Sequence, residues 1–156
     1  MKFLCDEMLK GLGRWLRAAG YDTLLMDDGE ADSVLLQRAR NEGRLFLTRD
    51  RQLLEHKGAD DTVVLLACNG LEDCAAELSR RLAIDWQYRP FSRCMVCNSL
   101  LEMASQQQRT QIPADAQEDD LVLYCPRCEQ LYWEGSHVTR MRARLQCWAA
   151  GEFLPH

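Results

Sequence analysis

The sequence has 156 residues, 47% of them hydrophobic and 28% charged, which suits one globular domain with a small appendage and excludes a disordered or collagen-like chain. Its net charge is −5, with 13 basic and 16 acidic residues up to Pro90 and 6 and 8 beyond it. Neither part has the excess of Lys and Arg that marks a global polyanion binder.

Four apolar runs occur before residue 70: Lys2–Cys5, Asp22–Met26, Arg44–Thr48 and Thr62–Ala67. They lack polar alternation, as strands buried on both faces of a parallel sheet do. Helical patterns follow them. Met8–Ala19 sets Met8, Leu12, Trp15 and Ala19 on one face and stops at Gly20. Asp32–Glu42 stops at Gly43, Gln52–His56 is a shorter helical piece, and Leu71–Ala83 carries Leu71, Ala75, Leu78 and Leu82. The alternation predicts an α/β domain with a parallel sheet over residues 1–90. Residues 91–156 read differently. A first Cys pair precedes the apolar run Leu100–Met103, and the polar stretch Ala104–Asp120 is expected to be a mobile loop. Strand-like Leu121–Tyr124 and Gln130–Trp133 flank a second pair. A helix over Val138–Ala150 closes the chain, with Ser136 as its expected N-cap and His137 docking the appendage on the core. The longest apolar run, Val63–Cys68, is far short of the roughly 20 residues that cross a bilayer. Asp6-Glu7 interrupts the N-terminus before a signal-peptide core can form, so a soluble, cytoplasmic protein without membrane contact is expected.

Four of the eight cysteines form two tight pairs, Cys94-Met-Val-Cys97 and Cys125-Pro-Arg-Cys128, separated by 27 residues. Two such knuckles supply the four soft ligands that a structural zinc ion needs at tetrahedral corners. A thioredoxin-like redox pair is the competing reading of Cys125–Cys128. That motif opens a helix, whereas Cys128 leads into a strand-like run, and it leaves the first knuckle without a role. Cys5, Cys68, Cys74 and Cys147 follow no ligand spacing, and without a secretion signal they are expected to be free thiols, mostly in the core.

Carboxylates stand at the predicted strand ends. Asp6 follows the first strand, Asp27 and Asp28 the second, and Asp50 the third, while Asp32 opens the second helix. Each taken alone makes a good N-cap, worth about 1 kcal/mol. Together, Asp6, Asp32 and Asp50 would meet where ligands bind in open parallel sheets, with a cation relieving their repulsion. Hard oxygen ligands select Mg2+ or Mn2+, a suitable centre for phosphodiester cleavage. Lys10, Arg14 and Arg17 form a positive stripe on the first helix, and Arg49 and Arg51 flank Asp50. Each group has a plainer reading as solvated surface. Arg140, Arg142 and Arg144 on the last helix are the rival basic face. Gly11 and Gly13 lack the spacing of a phosphate loop.

The segments Phe3–Thr23 (FLCDEMLKGLGRWLRAAGYDT), Leu47–Arg51 (LTRDR), Arg93–Asn98 (RCMVCN) and Tyr132–His137 (YWEGSH) resemble the Mut-seven C-terminal RNase domain family. The resemblance implies a PIN-like domain with a zinc ribbon and metal-dependent RNA cleavage. It puts the catalytic carboxylates on Asp6, Asp32 and Asp50, with Asp6 and Asp50 holding Mg or Mn. The implied partner is RNA, single-stranded by expectation. Two features depart from the family pattern. Glu129 stands where glycine usually follows the second knuckle, and Asn69, Glu72 and Asp73 are the candidates for a fourth carboxylate. Two other functions fit parts of the sequence: a non-catalytic RNA-binding adaptor, and a phospho-acceptor domain with Asp50 as acceptor. The latter needs a fifth parallel strand, which only Ile84–Arg89 could supply.

Overall fold

The computed structural model describes residues 1–26, 29–116 and 121–155; Asp27 and Asp28, singled out above, and the last four residues of the polar stretch, 117–120, lie outside them. Strands β1 (Phe3–Cys5), β2 (Thr23–Leu25), β3 (Leu45–Thr48) and β4 (Val63–Leu65) form a parallel sheet in the order β2-β1-β3-β4. Helices α1 (Lys10–Ala19), α2 (Asp32–Glu42) and α3 (Leu71–Leu82) complete an α/β layer structure. Alternate strand residues face opposite cores, as the two-residue period of a strand requires. Phe3, Cys5 and Leu47 join α1 and α3 on one face; Leu4 and Phe46 join Leu35, Ala39 and Leu53 on the other.

Helix α1 begins two residues later than the periodicity predicts. A 3-10 turn, Glu7–Leu9, comes first, so Leu9 enters the core while Met8 stays 69% exposed. Gly13 lets α1 lie close on the sheet, since a Cβ there would stand 2.1 Å from the Leu25 side chain. No fifth strand continues the sheet among the described residues, and Ile84–Arg89 forms turns. The open edge of β4 is instead covered by α3: Glu77 accepts from the Ala67 N–H, and Arg81 donates to the Leu65 carbonyl. Such satisfaction of an edge is a common way to prevent strand addition. It also removes the support for the phospho-acceptor reading.

Beyond Phe91, strands β5 (Glu102–Met103), β6 (Val122–Tyr124) and β7 (Leu131–Trp133) form an antiparallel sheet carrying the two knuckles. The expected loop after Ala104 contains order. Helix α4 (Gln106–Arg109) starts at a capping box, with Ser105 accepting from the Gln108 N–H and Gln108 accepting from the Ser105 N–H. Ile112 and Ala116 then bury against Val122. Helix α5 (Ser136–Ala149) starts earlier than predicted, with Gly135 rather than Ser136 at its N-cap. Its Met141, Leu145 and Trp148 pack into the same core as α1 and α3. Helix α5 therefore shares the interior of the α/β layer, while the ribbon sheet keeps its own cluster around Val122. Cys68 and Cys74 are disulfide-bonded, against the expectation of free thiols, because the turn from β4 into α3 brings their Cα atoms to 4.8 Å. Cys5 and Cys147 remain free. No helix among the described residues is long and apolar enough to cross a membrane.

Candidate functional site

Thr48 ends β3 and connects the two strand-end aspartates. Its hydroxyl donates to Asp6 Oδ2 at 2.5 Å and accepts from the Asp50 N–H at 3.0 Å. The other carboxylate oxygen of Asp6, Oδ1, is buried and has no hydrogen-bond partner. A buried acceptor without a donor is costly, on the order of 1–3 kcal/mol, and an orphan of this kind suits a cation. Burial is the main cause that raises the Asp6 pKa above the usual carboxylate value. The Thr48 hydroxyl and the nearby Leu9 and Met8 amides oppose the shift, and the Asp50 charge adds to it.

The plain capping reading divides these residues. Asp50 caps the 3-10 turn Arg51–Glu55, its Oδ1 accepting from the Gln52 N–H at 2.9 Å. Asp6 precedes the Glu7–Leu9 turn but makes no side-chain cap bond. Asp32 is the first helical residue of α2, not its cap, which is Ala31. Asp6, Asp32 and Asp50 do not bring three ligand atoms together: among the described residues, only the four cysteines form such a group.

At that second centre the sulfurs of Cys94, Cys97, Cys125 and Cys128 all lie within 4.8 Å of one another, with Cys97 and Cys125 at 3.5 Å. Zn–S bonds of about 2.3 Å at tetrahedral angles require S–S distances of about 3.8 Å, so the set fits zinc. The thiols also suppress one another's ionisation. Burial raises Cys97, but hydrogen bonds involving Ser99 outweigh it and bring the thiol down to about 6; Cys128, facing Cys97, is pushed up to about 12. A dication would relieve that conflict. Tyr132 supports the set, its hydroxyl 3.1 Å from Cys94 Sγ.

The Mut7-C RNAse domain family profile matches residues 1–145. The chain belongs to this family. A human protein named exonuclease mut-7 homolog is 30% identical over 101 residues, which is 62% of this chain and 12% of that protein. The chain thus spans a small part of the curated relative it matches. No solved structure matches. Membership puts the domain in a nuclease class.

In this Mut7-C chain the predicted basic stripe divides. Arg14 is exposed and Lys10 half-buried, but Arg17 is only 5% exposed. Its guanidinium donates to the carbonyls of Thr23, Met95 and Val96 at 2.8–3.0 Å. Arg17 is therefore committed to the protein, and the expectation that it lies exposed beside Arg14 fails. The hydrophobic stripe of α1 is broad enough to take it inward, and the first knuckle offers it carbonyl acceptors. Arg49 and Arg51 are exposed beside Asp50. On α5, Arg142 pairs with Glu134 and covers Phe91, and Arg144 pairs with Glu72 and covers Trp15, which leaves Arg140 as the plainly exposed cation of that group.

Two of the proposed fourth carboxylates have other work. Glu72 Oε2 accepts from the Trp148 indole at 2.7 Å and the Leu154 N–H at 3.2 Å, tying α3 to the C-terminal segment. Asp73 accepts from the Asn69 N–H at 2.8 Å at the entry to α3. Sequence reasoning missed Thr48, although it lies in the quoted LTRDR segment. It also missed Glu77, whose carboxylate sits at the end of β4 and which no local spacing announces.

Proposed function

We propose that the chain is a metal-dependent ribonuclease whose centre lies at the carboxyl ends of β1 and β3. The observation that carries this reading is the buried, unpartnered Oδ1 of Asp6, held beside Asp50 through the Thr48 hydroxyl. Asp6 and Asp50 would hold Mg2+ or Mn2+; Asp32, at the start of α2, is not gathered with them and is left out of the set. Such an ion supplies a water nucleophile at neutral pH and neutralises charge on the scissile phosphate. The chain's own part is to orient and to bind. Thr48 fixes the rotamer of Asp6 and the backbone direction at Asp50. Arg49 and Arg51 would meet the substrate's phosphates. The fold family supports the same class of chemistry, since its description is that of an RNase domain.

The capping bond of Asp50 favours a second reading, an RNA-binding adaptor in which the carboxylates only shape turns. Incubating labelled single-stranded RNA with the purified protein, with and without Mn2+, separates the two. Cleavage that requires Mn2+ and disappears in Asp6→Asn is expected of the nuclease. Binding without cleavage under all metal conditions makes the protein an adaptor.

A further inference from the structure

A groove of about 580 Å3 runs between α1, the first knuckle and α5. Lys10, Arg14 and Arg17 come from α1, Met95 and Val96 are the two residues between the knuckle's cysteines, and His137 comes from the first turn of α5. Among the described residues that line it there is no Asp or Glu. Its remaining walls include the half-buried Trp15 ring and the Leu25 side chain. His137 is exposed at its rim, correcting the expectation that it is a docking residue. Lys10, which lines it, follows Asp6 in sequence across the Glu7–Leu9 turn.

We propose that this groove seats a segment of single-stranded RNA and that the zinc knuckle is one of its walls. The proposal rests on the nuclease reading and adds the path by which an acidic protein holds its substrate. Cations beside apolar surface suit a single strand, with phosphates on the charges and bases against the Met95 and Val96 wall; the Trp15 ring, packed on Trp148 and under Arg144, backs that wall instead of stacking a base. A volume in the range of small-ligand clefts, about 300–1,000 Å3, has room for a short segment of one strand. Arg17 gives the groove its shape rather than its charge. By donating to the Met95 and Val96 carbonyls it holds the knuckle against α1 at a fixed distance. Asn98 does the same from the other side, accepting from the Thr23 N–H and donating to Asp22. Zinc would thus bear on binding as well as folding, since it completes the fold of the knuckle that carries Val96.

The test uses the zinc-loaded full chain in an Asp6→Asn background, with fluorescein-labelled oligouridylate and anisotropy as the readout. Val96 is 63% exposed, so both signs of charge can be placed there without disturbing the core. Val96→Glu is expected to weaken binding by about 10-fold and Val96→Lys to tighten it, both with zinc content and melting temperature unchanged. Lys10→Gln with Arg14→Gln should lower the slope of log K against log salt by about 1.4, two phosphates' worth at about 0.7 each. If both Val96 variants bind as the parent does while the Asp6 protein cleaves RNA in Mn2+, the groove assignment fails and the nuclease reading stands. If the Asp6 protein neither binds nor cleaves oligouridylate, the nuclease reading fails and takes the groove with it. Displacement of the RNA by an equal charge concentration of polyglutamate would identify a general anion cleft for acidic peptides and overturn the proposal.

Discussion

The four sulfurs of the ribbon gather within 4.8 Å of one another, whereas Asp6 and Asp50, at the ends of neighbouring strands, are linked through a threonine hydroxyl. The difference follows from how each centre is assembled. Two-residue turns fix both sulfurs of a knuckle by local geometry, and two knuckles need only one sheet to meet. The carboxylates have no such local device. Asp6 and Asp50 are 44 residues apart in sequence and become neighbours only because β1 pairs with β3. A closed soft site can be nearly complete in its own protein atoms, while an open hard site leaves room for water and substrate.

The largest effect should come from breaking the closed centre. Purified protein is expected to carry about one zinc per chain by elemental analysis, and Cys94→Ser to lose it. Structural zinc contributes on the order of 10 kcal/mol in small modules, so the residues beyond Phe91 should lose dispersed NMR signals. The α/β sheet should remain, at a lower melting temperature because α5 shares its core. Retention of the full melting temperature after zinc loss would mean that the ribbon sits on the domain without supporting it.

At the open centre the expected effect is on chemistry instead. Asp6→Asn should reduce Mn2+-dependent cleavage by about 1,000-fold, matching the several kcal/mol of charge stabilisation that a bound ion supplies, yet leave stability level or higher. The sign follows from the raised pKa of Asp6. A carboxyl whose pKa is higher folded than unfolded favours the folded state while protonated, and that advantage is lost as pH rises through the folded value. Melting temperatures of the parent should therefore fall relative to Asp6→Asn as pH rises from the usual carboxylate range toward neutrality. Added Mn2+ should restore the parent and not the variant. Equal pH profiles for the two proteins would show that Asp6 carries no burial penalty for an ion to relieve.

The same contrast explains what could be read in advance. The four parallel strands, the three helices that follow β1, β2 and β4, and the knuckles were legible because each is written in local periodicity or spacing. Asp6 and Asp50 were legible as strand-end carboxylates, but Thr48 between them was not, since its partners lie two and 42 residues away. Helix α4 was legible and overlooked: Ser105 followed by Gln108 is a capping-box signature inside a stretch whose polarity suggested a loop. The burial of Arg17 could not be read at all, because its acceptors Met95 and Val96 lie some 80 residues downstream.

Arg17 and Arg14, three residues apart on one helix, therefore make a sharper comparison than their sequence suggests. Arg17→Ala should cost about 3–4 kcal/mol, since it strands three buried or half-buried carbonyls and opens a cavity. Arg14→Ala should stay within about 0.5 kcal/mol in stability and act on RNA binding alone. Urea unfolding of the two zinc-loaded variants reads both numbers. Similar costs for the pair would mean that the Arg17 contacts to the knuckle are not maintained in solution.

The smallest effect concerns the turns that leave the knuckles. Asn98 and Glu129 occupy equivalent positions, each directly after the second cysteine of its pair, and both adopt the left-handed conformation, with φ of 74° and 59°. Asparagine visits that region readily and here uses its amide to bind Asp22 and the Thr23 N–H. Glutamate gains no such compensation and is exposed, so its Cβ bears a steric cost that glycine would avoid. Glu129→Gly is thus expected to stabilise the zinc-loaded protein by up to about 1 kcal/mol, partly offset by the extra chain entropy of glycine in the unfolded state. Asn98→Gly should do the reverse. It relieves the same backbone but strands a buried Thr23 N–H and removes a hydrogen bond to Asp22, at about 1–3 kcal/mol. Thermal unfolding of both variants measures the two signs. If Glu129→Gly destabilises as well, the side chain of Glu129 makes a contribution to the ribbon that outweighs its backbone strain.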